Sequence, residues 1–351
     1  MPVRVAVAGA GNCAAVFLQG LEYYSGRGKP GLWHPIVSGL KPSNLEVVAA
    51  FDIDPRKVGL ELSRAAFATP NVARKYTELP KTGVKVAPGL SEGDLPPHLA
   101  GVRPVTGTEG DVVEVLESSR ADVLLNLVSS GSDASSEAYA KGALRAGCAF
   151  VNCTPSLLLR NGRLSGAFSK AKVPLVGDDL MSQFGGTVFH KGLLGLLVKR
   201  GIRISKSYQL DVGGGSETLN TINEGIKMAK RGVKTASVAF EVPYDFETIA
   251  GTTDYVDYMG NDRTSYFWFE GAGFMGSPVT VDVYLRSSDG ANAGNILLDV
   301  ARATYGIMKD RRLERVQDIC AYGFKSPRRK TGFEEAYSRF VSAFVPVASR
   351  G

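Results

Sequence analysis

Residues 3–14 read Val3-Arg4-Val5-Ala6-Val7-Ala8-Gly9-Ala10-Gly11-Asn12-Cys13-Ala14. A short, mostly apolar strand runs directly into GxGxxA and then into a stretch of helical composition over residues 14–24. In such a strand–turn–helix unit the first glycine, Gly9, makes the tight turn. The second, Gly11, lets backbone N–H groups approach a pyrophosphate, and the small Ala14 keeps the helix close to the sheet. The helix directs the positive end of its dipole at the phosphates. A second apolar run, residues 45–51, ends in Asp52, where a Rossmann fold places the carboxylate that holds the ribose hydroxyls. Asp52 lies about forty residues from Gly11, about twice the usual interval. The Gly- and Pro-rich segment 26–42 accounts for the excess as a loop.

The alternation continues as a doubly wound sheet requires. Residues 111–119 and 133–146 read as helices, and 122–128, 149–153 and 173–177 as buried strands. Ligands gather beyond the carboxyl ends of such strands, so the turns at 129–132, 152–156 and 178–183 are expected cofactor walls. From about residue 202 the pattern changes. Apolar/polar alternation over 202–212, 265–270 and 279–286 predicts an antiparallel or mixed sheet, with a lysine-rich segment, 224–234, between the first two runs. Helices follow over 292–309 and 333–344. The expected fold is α/β. A Rossmann domain, residues 1–200 completed by 292–351, carries an inserted α+β domain, residues 201–291.

Composition narrows the chemistry. The 351 residues carry 41 basic and 35 acidic side chains, a formal charge of +6, with 44% hydrophobic and 22% charged residues. Disordered, collagen-like and low-complexity classes are thereby excluded. With three histidines (His34, His98, His190), four cysteines (Cys13, Cys148, Cys153, Cys320) and no CxxC or HExxH spacing, no metal site is expected. The absence of a secretory leader predicts a cytoplasmic protein with reduced thiols, and no apolar run approaches a membrane span. Basic residues are scattered, and the one dense cluster, 325–330, is short; it reads as a solvated or phosphate-facing patch, and no nucleic-acid partner is expected.

The order of several motifs resembles the myo-inositol-1-phosphate synthase family, in particular its shorter prokaryotic branch. The resemblance spans nearly the whole chain. In the first half it is carried by residues 9–14, Gln19-Gly20-Leu21-Glu22-Tyr23-Tyr24, Ala49-Ala50-Phe51-Asp52-Ile53-Asp54, Lys57-Val58-Gly59, Phe150-Val151-Asn152 and Gly177-Asp178-Asp179. Beyond these lie Ser182-Gln183, Val212-Gly213-Gly214, Leu219-Asn220, Asp254-Tyr255-Val256, Asn292-Ala293-Gly294 and Lys325-Ser326-Pro327. The resemblance implies NAD in the amino-terminal domain, a hexose 6-phosphate substrate, and a middle sheet domain that completes the active site and a homotetramer. The implied reaction is redox-neutral. C5 of glucose 6-phosphate is oxidised, the acidified C6 enolises and attacks the C1 aldehyde, and the cyclic ketone is reduced. Cations near the developing enolate and alkoxide, and a phosphate clamp, are what this chemistry needs.

The motifs depart from the family's at its lysines. Gly-Asp-Asp-Ile-Lys-Ser-Gln becomes Gly177-Asp178-Asp179-Leu180-Met181-Ser182-Gln183, and Asp-Arg-Lys becomes Asn261-Asp262-Arg263. The end lysines of Ser-Lys-Lys-Ile-Ser-Lys survive as Lys230 and Lys234. A methionine carries no charge, and a guanidinium grips oxyanions but does not exchange protons as an ammonium does. A changed substrate accounts for this chemically. Fructose 6-phosphate, oxidised at C5 and enolised at C6, would close on its C2 ketone to a five-membered cyclitol phosphate, as in cyclases of carbocyclic nucleoside pathways. This variant is favoured over the glucose 6-phosphate reaction. A simple NAD-dependent dehydrogenase and a non-catalytic paralogue are the remaining readings.

The resemblance implies Lys230, Lys234, Arg263, Ser182, Asn220 and Lys325 as catalytic or substrate-binding residues. Arg263 and Lys325 are the expected phosphate or carbonyl grips. The expected cofactor wall comprises Gly9, Gly11, Asn12, Cys13, Asp52, Ser129, Ser130, Gly131, Asn152, Thr154, Asp179 and Asp254. A divalent or monovalent cation is compatible with the family, but nothing in the spacing demands one. His190 reads as a core or surface residue, and Cys13 as a small packing residue.

Overall fold

The computed structural model describes residues 2–26 and 29–346. Residues 27–28 of the expected loop and 347–351 of the expected carboxyl-terminal part lie outside that range. The first unit runs β1 (Val3–Ala8), α1 (Asn12–Tyr23), β2 (Leu45–Asp52), α2 (Leu62–Ala65), β3 (Val86–Pro88) and α3 (Glu109–Ser118). It continues β4 (Val123–Asn126), α4 (Asp133–Arg145), β5 (Ala149–Asn152), α5 (Gly162–Ala171) and β6 (Leu175–Val176). Its six strands lie in the order β3-β2-β1-β4-β5-β6, all pairs parallel. Strands β4 and β5 are wholly buried and β1 nearly so, because helices cover both faces; hence their runs of Val, Leu, Ala and Phe without alternation. The order reverses between β1 and β4, and the cleft above that point is where such sheets bind ligands.

The second unit contains α6 (Gly186–Lys199), β7 (Arg203–Gly213), α7 (Ser216–Leu219), α8 (Glu224–Ala239), β8 (Glu247–Tyr255), β9 (Asp262–Ala272) and β10 (Pro278–Ser288). Its sheet order is β10-β9-β7-β8, mixed because β7 and β8 run parallel while β9 is antiparallel to β7 and β10. Strand β8 is absent from the sequence expectation. Its residues, Glu-Thr-Ile-Ala-Gly-Thr-Thr-Asp-Tyr, show no sustained alternation, and pairing with β7 decides their conformation. Leu194 of α6 packs with Ile204, Val238, Phe267 and Phe269 in the smaller of two cores. By packing, α6, which precedes the expected boundary at 201, joins this smaller core.

Helices α9 (Asp289–Lys309), α10 (Val316–Gly323) and α11 (Phe333–Phe344) return to the first core. Helix α9 is the central support, with fifteen of its 21 residues buried. It also anchors the loop that lengthens the first crossover. The fully buried Arg302 guanidinium donates to the carbonyls of His34, Pro35 and Leu40 at 2.9–3.2 Å and to Asp299 at 2.7 Å. The three bonds to the loop satisfy backbone carbonyls that a segment without regular structure would otherwise leave to solvent. Among the described residues no helix is long and apolar enough to cross a membrane.

Candidate active site

The glycine turn is shaped by close approach. Gly9 has φ +96°, and a Cβ there would stand 2.7 Å from the Leu127 carbonyl oxygen at the end of β4. No side chain fits, so the chain passes flat between the two strand ends. Gly11, by contrast, has nothing within 4 Å of where its Cβ would be, and it precedes α1 with no side chain capping the helix. The unpaired backbone donors of that helix end suit an anionic pyrophosphate. Asp52 at the end of β2 accepts from the backbone N–H of Ala10 at 2.8 Å and of Asp54 at 2.9 Å, which fixes its carboxylate beside the turn. Lys57 stands 3.7 Å from it. Gly9, Asp52, Lys57, Ser132 and His98 line a cavity of about 70 Å³. The residues present fit a dinucleotide.

This cavity shares Gly11, Leu127, Val128, Ser129 and Ser216 with a larger one of about 190 Å³ that reaches into the second unit. Four cationic side chains converge on the larger cavity, and each is paired with a carboxylate. Lys234 donates to Asp211 at 2.7 Å, Lys325 to Asp179 at 2.6 Å, and Arg263 lies 2.8 Å from Asp289. Lys230 donates to Glu217, whose carboxylate also receives the Ser130 hydroxyl from the cofactor turn. Lys230 and Lys234 share one face of α8 because they are four residues apart.

Burial works to raise the Asp211 carboxyl, but the charges of Lys234 and Arg263, with hydrogen bonds from Lys234 and Ser265, hold it well below the usual carboxylate range. The Lys234 ammonium is pulled the other way. Burial lowers its pKa, Asp211 opposes that, and Arg263 and Lys325 add to the lowering, leaving it below an ordinary lysine. Burial also raises the Glu217 carboxyl, and Lys230 and Ser130 outweigh it.

Many of the expected residues meet here. Lys230, Lys234, Arg263, Lys325 and Ser182 line the larger cavity. Gly11, Asn12, Cys13, Ser129, Ser130, Thr154 and Asp179 line its other wall. Four do not reach either cavity. Asn220 is fully buried and accepts from His98, at 3.0 Å from the imidazole Nδ1, so it ties the two units together beside the cleft. Asn152 is a buried brace whose amide donates to the Ser156 carbonyl at 2.6 Å and to Asp178 at 2.7 Å. Gly131, at φ +94°, turns the chain where a Cβ would strike Ile226 at 2.6 Å. Asp254 is exposed on β8, where it accepts from the Tyr255 N–H at 2.8 Å.

Met181 also points elsewhere. It is 3% exposed and borders a small apolar cavity with Trp33, Tyr322, Phe333 and Tyr337. His190 is a core residue, bonded to Ser207 at 2.9 Å, with burial lowering its pKa to about 4.

Asp211, Glu217 and Asp289 were not singled out from the sequence. One signal pointed to Asp211. The inward face of β7 reads Ser207, Gln209, Asp211 while Leu210 faces out, an inversion of the usual alternation. The inner face of β9 grades likewise from Ser265, which donates to Asp211, to Phe267 and Phe269 in the core. Among the described residues no cluster of His, Cys, Asp and Glu is placed to hold a metal.

The profile of the family described as Myo-inositol-1-phosphate synthase matches residues 185–290. Inositol-3-phosphate synthase of Corynebacterium glutamicum is 33% identical over 357 residues, spanning 98% of both chains. The chain belongs to this family. The Mycobacterium tuberculosis inositol-3-phosphate synthase is 34% identical over 93% of this chain and 91% of its own. Among solved structures, that of Ari2 is 33% identical with a TM-score of 0.77, covering 97% of this chain and 99% of Ari2. A myo-inositol-1-phosphate synthase-related protein of Thermotoga maritima, 20% identical, shares the fold at a TM-score of 0.79 over 97% of this chain and 98% of its own. The segment matching the inositol phosphate synthase profile runs from α6 to the start of α9 and contains Asp211, Lys230, Lys234, Arg263 and Asp289. In this member of an isomerase-type enzyme family the glycine turn follows β1, while the four cations come from α8, β9 and the segment after α10.

Proposed function

We propose that this protein is an NAD-dependent sugar-phosphate cyclase that converts fructose 6-phosphate to a five-membered cyclitol phosphate. The observation that carries the cyclase reading is the convergence of Lys230, Lys234, Arg263 and Lys325 on one cavity continuous with the glycine-turn cleft. A dehydrogenase needs a cofactor and one acid or base. An enolisation followed by an aldol closure develops negative charge on successive oxygens and needs several donors around one small sugar. NAD held by Gly9, Gly11 and Asp52 would take the C5 hydrogen and later return it, leaving no net redox change.

The side chains do the rest. Lys325 and Arg263 grip the phosphate or a carbonyl oxygen, with Arg263 able to do so bidentately. Lys230, beside Ser130 at the cofactor turn, and Lys234, deeper against β7, donate to oxyanions and move protons. In fructose 6-phosphate the C6 carbanion attacks the C2 ketone, forming the C2–C6 bond and placing the new alkoxide at C2. Arg263 in place of a lysine supports this substrate, since it supplies a fixed positive grip without proton exchange. Met181 lends this substrate no support, because its side chain lies outside the cavity. The second reading is inositol phosphate formation from glucose 6-phosphate, favoured by the names of the actinobacterial relatives.

Incubating the protein and NAD with each hexose 6-phosphate, and identifying the product ring by NMR, tests the assignment. A five-membered ring from fructose 6-phosphate is expected. Inositol phosphate from glucose 6-phosphate alone would replace it, and stoichiometric NADH release would replace both. The homotetramer belongs to the same reading. Its support is the outer face of the four-stranded sheet, where Tyr208 stacks on Trp268 and Leu210, Ile249 and Tyr284 are exposed. A mass measurement in solution checks it.

A further inference from the structure

Asp211 is the most enclosed charged group of the cavity. It is fully buried, yet its carboxylate borders the cavity and touches one cation, Lys234, at 2.7 Å. Its remaining partners are neutral and stand on neighbouring strand positions. Ser265 on β9 donates at 2.6 Å, and the Gln209 amide on β7 donates at 2.9 and 3.0 Å. Gln209 is itself held, 3.3 Å from the His190 ring. The amino end of α6 closes the other side, where a Cβ on Gly186 would overlap the Gln209 amide at 2.1 Å and approach Asp211 at 3.1 Å. The carboxylate therefore has one orientation.

The consequence falls on Lys234. An ammonium has three N–H donors. Asp211 is its hydrogen-bond acceptor in the protein, and the chain borders the cavity, so donors remain for a ligand. The neighbouring pair is built differently. Glu217 is divided between Lys230 and the cofactor turn, and its side chain is 44% exposed.

We propose that Asp211 is the positioning residue of the reaction, orienting the Lys234 ammonium so that its free N–H groups face the oxygen that becomes an oxyanion when the sugar enolises and closes. The inference rests on the cyclase reading above. Asp211 does not touch substrate; it fixes the geometry and the protonation of the group that does. The charged groups around Lys234 are Asp211 on β7, Arg263 on β9 and Lys325 after α10, while His190 on α6 is buried and neutral at physiological pH. Of these only Asp211 favours the ammonium.

The test is the pH dependence of turnover in Asp211→Asn and Ser265→Ala, with the full-length protein and NAD. In the wild type, activity falls as pH rises through the titration of Lys234. Asp211→Asn removes the charge that favours the ammonium, so this alkaline limb moves down by about one pH unit or more. kcat falls about a hundredfold or more while KM changes less than about threefold. Ser265→Ala leaves the charge but removes a donor from the carboxylate, so the limb moves up and kcat falls about three- to tenfold. If Asp211→Asn does not fold, Ser265→Ala decides alone. An alkaline limb at the wild-type position in the folded variants overturns the proposal. A wild type that turns over neither hexose phosphate, nor exchanges its C6 hydrogens with deuterium oxide, overturns the cyclase reading instead.

Discussion

Lys325 and Asp179, 146 residues apart in sequence, meet at 2.6 Å, and the Lys325 backbone N–H also donates to the Asp179 carbonyl at 2.8 Å. The segment after α10 is thus stitched to the turn that follows β6, and the one cation it brings to the cavity is held at the cofactor side. Lys325→Ala is expected to raise KM for the hexose phosphate about tenfold or more, since a charge-assisted bond contributes about 1.5–3 kcal/mol. NAD affinity should change less than about twofold. Steady-state kinetics with a cofactor titration check this; a rise in the NAD Kd comparable to that in KM would assign Lys325 to the cofactor.

Gly9→Ala addresses the cleft itself. The added Cβ would stand 2.7 Å from the Leu127 carbonyl at φ +96°, so β1 and β4 must part or the turn must move. Calorimetric titration should show NAD affinity at least about tenfold weaker, with a stability loss of about 1–3 kcal/mol from backbone strain.

Met181→Lys tests whether restoring the family lysine restores a cavity cation. Position 181 is enclosed by Trp33, Tyr322, Phe333 and Tyr337, and an ammonium there has no carboxylate among these neighbours. A loss of about 3 kcal/mol in urea unfolding is expected, with the product ring unchanged. A stable variant with an altered product would place residue 181 at the substrate.

The thiols give a pH-based check. Burial, with the charges of Asp289 and Glu217, pushes Cys13 up to about 12; burial pushes Cys320 to about 12 as well, and Cys148 and Cys153 also lie above the ordinary thiol. A thiol with a raised pKa is scarcely ionised at neutral pH, and the thiolate is the reactive form. Titration with a thiol reagent at pH 8 should find almost no fast-reacting cysteine in the native protein and four after denaturation. A fast-reacting Cys13 in the native state would give that residue a chemical role.

The Rossmann half was legible because its signals are local. A buried strand, a glycine turn and a helix occur within residues 3–23, and backbone sterics at Gly9 dictate the composition. The four cations were legible only through family motifs, since exposed and buried lysines look alike in a chain. Asp254 and Asn220 both lie in matching motifs, yet one is exposed on β8 and the other braces His98.

Near-neighbour signals in the chain sufficed for the alternation of elements in the first unit, the glycine turn between β1 and α1, and the family. Which carboxylate partners each cation, the aromatic pocket around Met181 and the single orientation of Asp211 emerge only when distant segments are packed together. The reason is physical. A turn or a strand is specified by sterics and hydrophobic period among near neighbours, whereas the charge state and direction of a buried side chain depend on groups brought together from α6, β7, α8, β9 and the segment after α10.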